Sequence, residues 1–196
     1  MSNPILSDND FIISNVSITH ETVNFFTESV NYIGNAKSRG LHRLGVEFTV
    51  TLVDANDIKK FEALMLRIRG RLNPFKLSLQ DQTDGKGTCN PLFTDVSPML
   101  SNAVSIGNNK LVLSGFSGVI PAGSKFQFPN DEKVFTVLND TKPNQECEIF
   151  PAVRVAHEVK AKLNFSPVPL LRLSGDEFTV SYDKAREITL KAMEAL

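Results

Sequence analysis

Residues 45–79 read GVEFTVTLVDANDIKKFEALMLRIRGRLNPFKLSL, and the spacing of their apolar positions predicts a strand, a helix and a second strand in direct succession. Val46, Phe48, Val50 and Leu52 take every second position, with Glu47, Thr49 and Thr51 between them. That is the period of a strand with one face on a core and the other in water. Asp54 is placed to act as a helix N-cap, and Asp57 in the first turn complements the positive end of the helix dipole. Ile58, Phe61, Leu64, Met65, Ile68 and Leu72 recur at steps of three and four and form one apolar stripe. Arg67 and Arg69 suit the negative end of the dipole, and Gly70 is the expected stop. Asn73 and Pro74 then turn the chain into the alternating Phe75, Leu77 and Leu79.

Working outward, the polar, proline-containing residues 1–10 read as an arm or loop that a partner could order. Phe11, Ile12 and Ile13 open a strand-like run, IISNVSITHETVNFF, in which Val16 and Ile18 alternate with Asn15, Ser17 and Thr19. The stretch ESVNYIGNAKSRGLHRLG has little periodicity, carries Lys37, Arg39, His42 and Arg43, and reads as a strand edge followed by an exposed basic loop. After Gln80 the composition shifts to Asp, Gly, Thr, Asn and Pro, which marks a boundary. Beyond it, residues 105–113, 124–128, 133–138 and 147–150 are short apolar runs between turn residues, the pattern of a small all-β unit. Val159, Ala161, Leu163 and Phe165 alternate, as do Phe178, Val180 and Tyr182. The tail DKAREITLKAMEAL, with Asp183 as a conceivable cap, fits a short helix or a final strand equally well. The whole reads as mainly β with one clear helix, an α+β chain. Residues 1–80 and 156–196 form one discontinuous domain, and 81–155 form a small all-β insertion.

The chain has 196 residues, and 21 Lys and Arg against 22 Asp and Glu leave a net charge of −1. No global basic field recruits nucleic acid or anionic membrane. No apolar run reaches the roughly 20 residues of a membrane span, and the polar start lacks the regions of a signal peptide, so a cytosol-like compartment is expected. Cys89 and Cys147 cannot build a disulfide framework. His20, His42 and His157 show no metal-ligand spacing, and no nucleophile elbow or phosphate loop is present. Asp81, Asp84, Gly85, Lys86 and Gly87 look in part like a calcium loop but lack its later acidic ligands, which leaves turn chemistry as the better account. The expectation is therefore no enzyme, no cofactor and no metal, and the arginines at positions 39, 43, 67, 69 and 71 are the candidate interface residues.

Several pieces, taken in order, carry a resemblance. NAKSRGLHRLGVEFTVTL, the helix DANDIKKFEALMLRIRGRLNPFKLSL, the run NNKLVLSGFSGVIPAGSKFQFPNDEKVFTVLND with its PAG, CEIFPAVR with Pro151 and Arg154, and FSPVPLLRLSGDEFTVSYD together resemble the distal tail proteins of long, non-contractile-tailed bacteriophages. The likeness runs from about Asn35 to Tyr182. It implies a ring-forming domain of β-sandwich type with a helix, interrupted by an outward-facing small barrel of the oligonucleotide/oligosaccharide-binding type. It also implies a homo-hexamer in the virion tail tip, assembled in the host cytoplasm, that joins the tail tube protein to the tail-tip hub protein and can carry a side tail fibre. No nucleic acid or membrane partner is implied. Arg39, Arg43, Arg67, Arg69 and Arg71 would contribute to subunit or tube contacts. The alternative is a host-surface carbohydrate-binding module that would meet the sugar through exposed residues such as Phe116 or Phe135, although core packing is the expected fate of both.

Overall fold

The computed structural model describes residues 3–79, 92–180, 182 and 186–195. The loop-like run from Asp81 to Gly87, Cys89 and the cap position Asp183 lie outside the described residues.

The quoted stretch folds as its spacing requires. Strand β3 (Gly34–Leu52) ends at a helix, α1 (Ala55–Ile68), and β4 (Phe75–Ser78) follows. The Asp54 carboxylate accepts from the amides of Asn56 and Asp57, both at 2.8 Å, and so satisfies two donors that the first turn leaves without partners. Ile58, Phe61, Met65 and Ile68 are buried, while Leu64 is half-buried and Leu72 lies beyond the helix and exposed. The helix stops one residue before the expected glycine. Arg69 takes the left-handed cap conformation, its amide donating to the carbonyl of Met65. Gly70 also has positive φ, and a Cβ there would lie 2.6 Å from the Cα of Asp176, so the position tolerates no side chain.

The first sheet contains six strands in the order β1-β4-β10-β11-β3-β2, where β1 is Ile5–Ser7, β2 Ile12–Glu28, β10 Leu170–Leu173 and β11 Arg186–Glu194. Only β1 and β4 pair in parallel. The register sets Ile13 and Ile188 on either side of Val50, with Leu190 opposite Phe48 and Ala192 opposite Val46. The apolar face of β3 is thereby covered on its own sheet, while Phe61, Met65 and Ile68 of α1 join the same core.

Two expectations need correction here, and one open choice is decided. Of the stretch expected to be an arm or loop, residues 3–10 are held in place, because Ile5–Ser7 pairs with β4 and Leu6 is fully buried. Of the two readings of the tail the strand is the one formed, β11, because Leu190, Ala192 and Glu194 fall on alternate buried positions between two partners. Phe178, Val180 and Tyr182 form no strand: the first two pack half-buried on the core, and Tyr182 donates to Glu62.

A second sheet has the order β5-β6-β9-β8-β7, comprising β5 (Met99–Leu100), β6 (Lys110–Ser114), β7 (Lys125–Phe126), β8 (Phe135–Val137) and β9 (Glu146–Phe150). Its ends are bridged by residues 161–164. Leu100 donates to the carbonyl of Ala161 and Leu163 to that of Pro98, while Gln127 and Asn164 exchange both amide–carbonyl bonds. The sheet thus curls around its own core, in which Phe126 stacks between Phe135 and Phe165 at centroid distances of 5.6 and 5.2 Å. The chain is a mainly β, α+β protein with one helix among the described residues.

Candidate functional site

The longest elements are β2 and β3, and the stretch expected to be a basic loop is the outer half of β3, paired with the outer half of β2. They form a two-stranded arm. Pairing continues from Thr22 opposite His42 to Glu28 opposite Gly34, and Tyr32 donates to the carbonyl of Ser29 to close the tip. At about 3.4 Å per residue, the segment Thr22–Glu28 spans roughly 20 Å. Periodicity missed this arm because neither face touches a core: nearly every residue from Thr19 to Leu41 is exposed, so no alternation is imposed. Two bulges shape the ribbon. One lies at Asn15, which has positive φ, and the other lies where Arg39 and the positive-φ Gly40 are extra on β3 between the pairs Val23–Leu41 and Asn24–Ser38.

Large apolar side chains crowd the distal part of the arm: Phe25, Phe26, Val30, Tyr32 and Ile33, with Val30 97% and Tyr32 87% exposed. Charge is segregated by strand. Between His20 and Glu28, β2 carries Glu21 and Glu28 and no Lys or Arg; between Gly34 and Leu44, β3 carries Lys37, Arg39 and Arg43 and no Asp or Glu. β2 is the outermost strand of its sheet, and β11 accompanies β3 only as far outward as Gly45, opposite Met193. Outward from there the ribbon has, among the described residues, two edges with no strand partner, one acidic and one basic.

The root of the arm is clamped to the second sheet. Lys133, in the turn before β8, is 1% exposed and donates to the carbonyl of His42 at 3.0 Å and to the carboxylate of Glu194. Glu194, also buried, accepts from the amides of Leu44 (3.2 Å) and Val134 (2.9 Å). Burial pushes the Lys133 ammonium down, and the Glu194 contact opposes that shift. Phe150 of β9 meets the ring of His42 edge-on at 5.0 Å, and His42 Nε2 lies 2.9 Å from His20 Nδ1. Burial, followed by the nearby Lys133 charge, lowers His42 to about 4; burial, then Lys125, lowers His20 as well. Both imidazoles are neutral at neutral pH.

The five candidate arginines are not one patch. Arg39 stands on the arm, its guanidinium 5.1 Å from the centre of the Phe25 ring. Arg43 and Arg71 border one hollow beside β10 and β11. Arg67 and Arg69 border another, between α1 and β1. Arg71 is engaged, its guanidinium reaching Asp176 at 2.5 Å and holding that carboxyl down at about 2. Phe135 is fully buried and Phe116 half-buried, so the aromatic surface expected of a sugar-binding module is not formed by these two residues. Among the described residues no three His, Cys, Asp or Glu side chains gather as a metal set, and burial pushes the Cys147 thiol up.

No family model matches this chain, and no curated protein matches it. The arm is the feature that the sequence reading lacked. Two signals for it were present: the β-favouring composition of ETVNFFTE and the opposite charge sign of the two flanking segments.

Proposed function

We propose that this protein is a structural ring subunit in which the arm of each copy pairs edge to edge with the arms of its two neighbours. The observation that carries the reading is the ribbon itself, with two unpaired edges of opposite charge and a crowded apolar tip. A two-stranded ribbon is only marginally stable alone in water. Its open edges invite another strand, and natural proteins normally protect such edges. Because the two edges differ, addition is head to tail: the acidic β2 edge of one copy meets the basic β3 edge of the next. A heterologous contact of this kind closes into a ring when the rotation per copy divides a full turn. The inward-facing arms would then form a continuous barrel without free edges. Together with the resemblance of the sequence to distal tail proteins, this favours a hexameric ring in a phage tail tip, with the tail tube and hub proteins on its two faces. The clamp of Lys133, Glu194, His42 and Phe150 fixes the angle at which each arm leaves the body, which a closed ring requires of every copy.

The test is electron microscopy and light scattering of the full chain beside a variant in which residues 24–38 are replaced by a tight turn. Rings from the full chain, and a folded monomer from the shortened one, are expected. A full chain that stays monomeric at high concentration, or a shortened chain that still forms the same rings, would overturn the reading.

A further inference from the structure

On the opposite edge of the first sheet, α1 and β1 enclose a groove that the arm does not use. It consists of a hollow of about 940 Å3 bordered by Ile5, Leu66, Arg67, Arg69 and Leu72 and, continuing along the same helix past Ile5 and Arg67, a smaller one of about 280 Å3 that reaches Lys60. Ile5, Leu66 and Leu72 are more than half exposed there, at 55, 59 and 63%. Arg67 and Arg69 have no carboxylate partner among the described residues, in contrast to Arg71 nearby, which is held by Asp176. Among the described residues the only acidic side chain on either hollow is Asp10. A strip of exposed aliphatic side chains flanked by Lys60, Arg67 and Arg69 is complementary in both hydrophobicity and charge to one kind of occupant.

We infer that this groove is a docking site for an acidic amphipathic segment of a second protein, lying along α1 with its apolar face on Ile5, Leu66 and Leu72 and its carboxylates on Arg67 and Arg69. The helix-in-groove mode supplies apolar anchors on one face of the segment. The arginines can each hold a carboxylate through two parallel N–H donors. Another strand is disfavoured as the occupant, because β1 is short and is preceded by Pro4, which has no amide to give. The inference does not rest on the ring reading, since the groove lies on the β1 edge and the arm on the β2 edge of the sheet.

The experiment uses the full chain with a fluorescein-labelled peptide of about fifteen residues built from Leu, Glu and Ala in helical spacing. A peptide with Lys in place of Glu serves as the control, and binding is read by fluorescence anisotropy. The acidic peptide should bind and the basic one should not. Arg67→Glu combined with Arg69→Glu should weaken binding at least about tenfold, and Leu66→Ser should weaken it at unchanged charge. Raised salt should weaken it further. All three positions are exposed, and thermal unfolding of each variant at the wild-type midpoint shows that the fold is kept. Equal binding of the two peptides, or binding indifferent to both variants, overturns the inference. So does a loss of self-association, rather than of peptide binding, in the arginine variant, which would assign the groove to a second copy.

Discussion

Replacing Lys133 with Met removes the one cation that, among the described residues, is paired with the buried carboxylate of Glu194. Glu194 would keep the amides of Leu44 and Val134 as donors, but two neutral dipoles do not compensate a charge held out of water. Removing one partner of a buried pair typically costs about 3–5 kcal/mol, and Met fills most of the lysine stem's volume, so little of the loss comes from a cavity. For a chain of this size each kcal/mol lowers the melting midpoint by about 2–4 °C. The measurement is urea and thermal unfolding of the arm-shortened chain, so that assembly does not add to the apparent stability. One signature separates an uncompensated charge from general damage: Glu194→Gln added to Lys133→Met should restore at least about 1 kcal/mol. A loss below about 0.5 kcal/mol for Lys133→Met, or a double variant as poor as the sum of its parts, would refute the clamp.

His42, about 4 in the folded chain against an ordinary 6.5, is neutral in both states at neutral pH. Below 6.5 the unfolded chain gains a proton that the folded chain refuses until about 4, so stability is lost as pH falls through that window, by up to about 3 kcal/mol; a His42→Gln chain should show a flatter pH profile of unfolding. Gly70→Ala meets both a positive φ and the backbone of Asp176, and unfolding titrations should report a loss above about 1 kcal/mol. Asp54→Ala removes the carboxylate oxygen that accepts from the amides of Asn56 and Asp57 at the helix start and should lower stability by about 1 kcal/mol, read the same way, while Asp54→Asn keeps most of it.

What could be read from the chain was what a core imposes on it. The alternation of Val46, Phe48, Val50 and Leu52 and the three-and-four spacing of Ile58, Phe61, Met65 and Ile68 are consequences of burial on one side, and both elements lie where the spacing places them. The same logic hid half of the arm: residues wet on both faces carry no period, so NAKSRG looked like loop although hydrogen bonds to the strand-like run ending in VNFF make it strand. The short strand at Ile5 escaped notice because three residues are too few to show alternation. Nor can spacing report that Lys133 meets Glu194, 61 residues away in sequence, since the pairing exists only once two sheets are docked. The arginines were visible as residues but not as separate groups, because their grouping depends on which edge of the sheet each one borders.

The position of β11 bears on how the chain is made. The ribosome delivers it after every strand that it touches, yet it sits between β10 and β3 in the middle of the first sheet. From the end of β3 at Leu52 to the start of β11 at Arg186, translation at about 5–20 residues per second takes roughly 7 to 27 s. During that interval β3 shows a bare inner edge as well as its outer one, and Lys133, once made, has no carboxylate to enter with. A nascent chain therefore presents more sticky strand edge than the finished one, and the last strand both seals the sheet and sets the arm's angle.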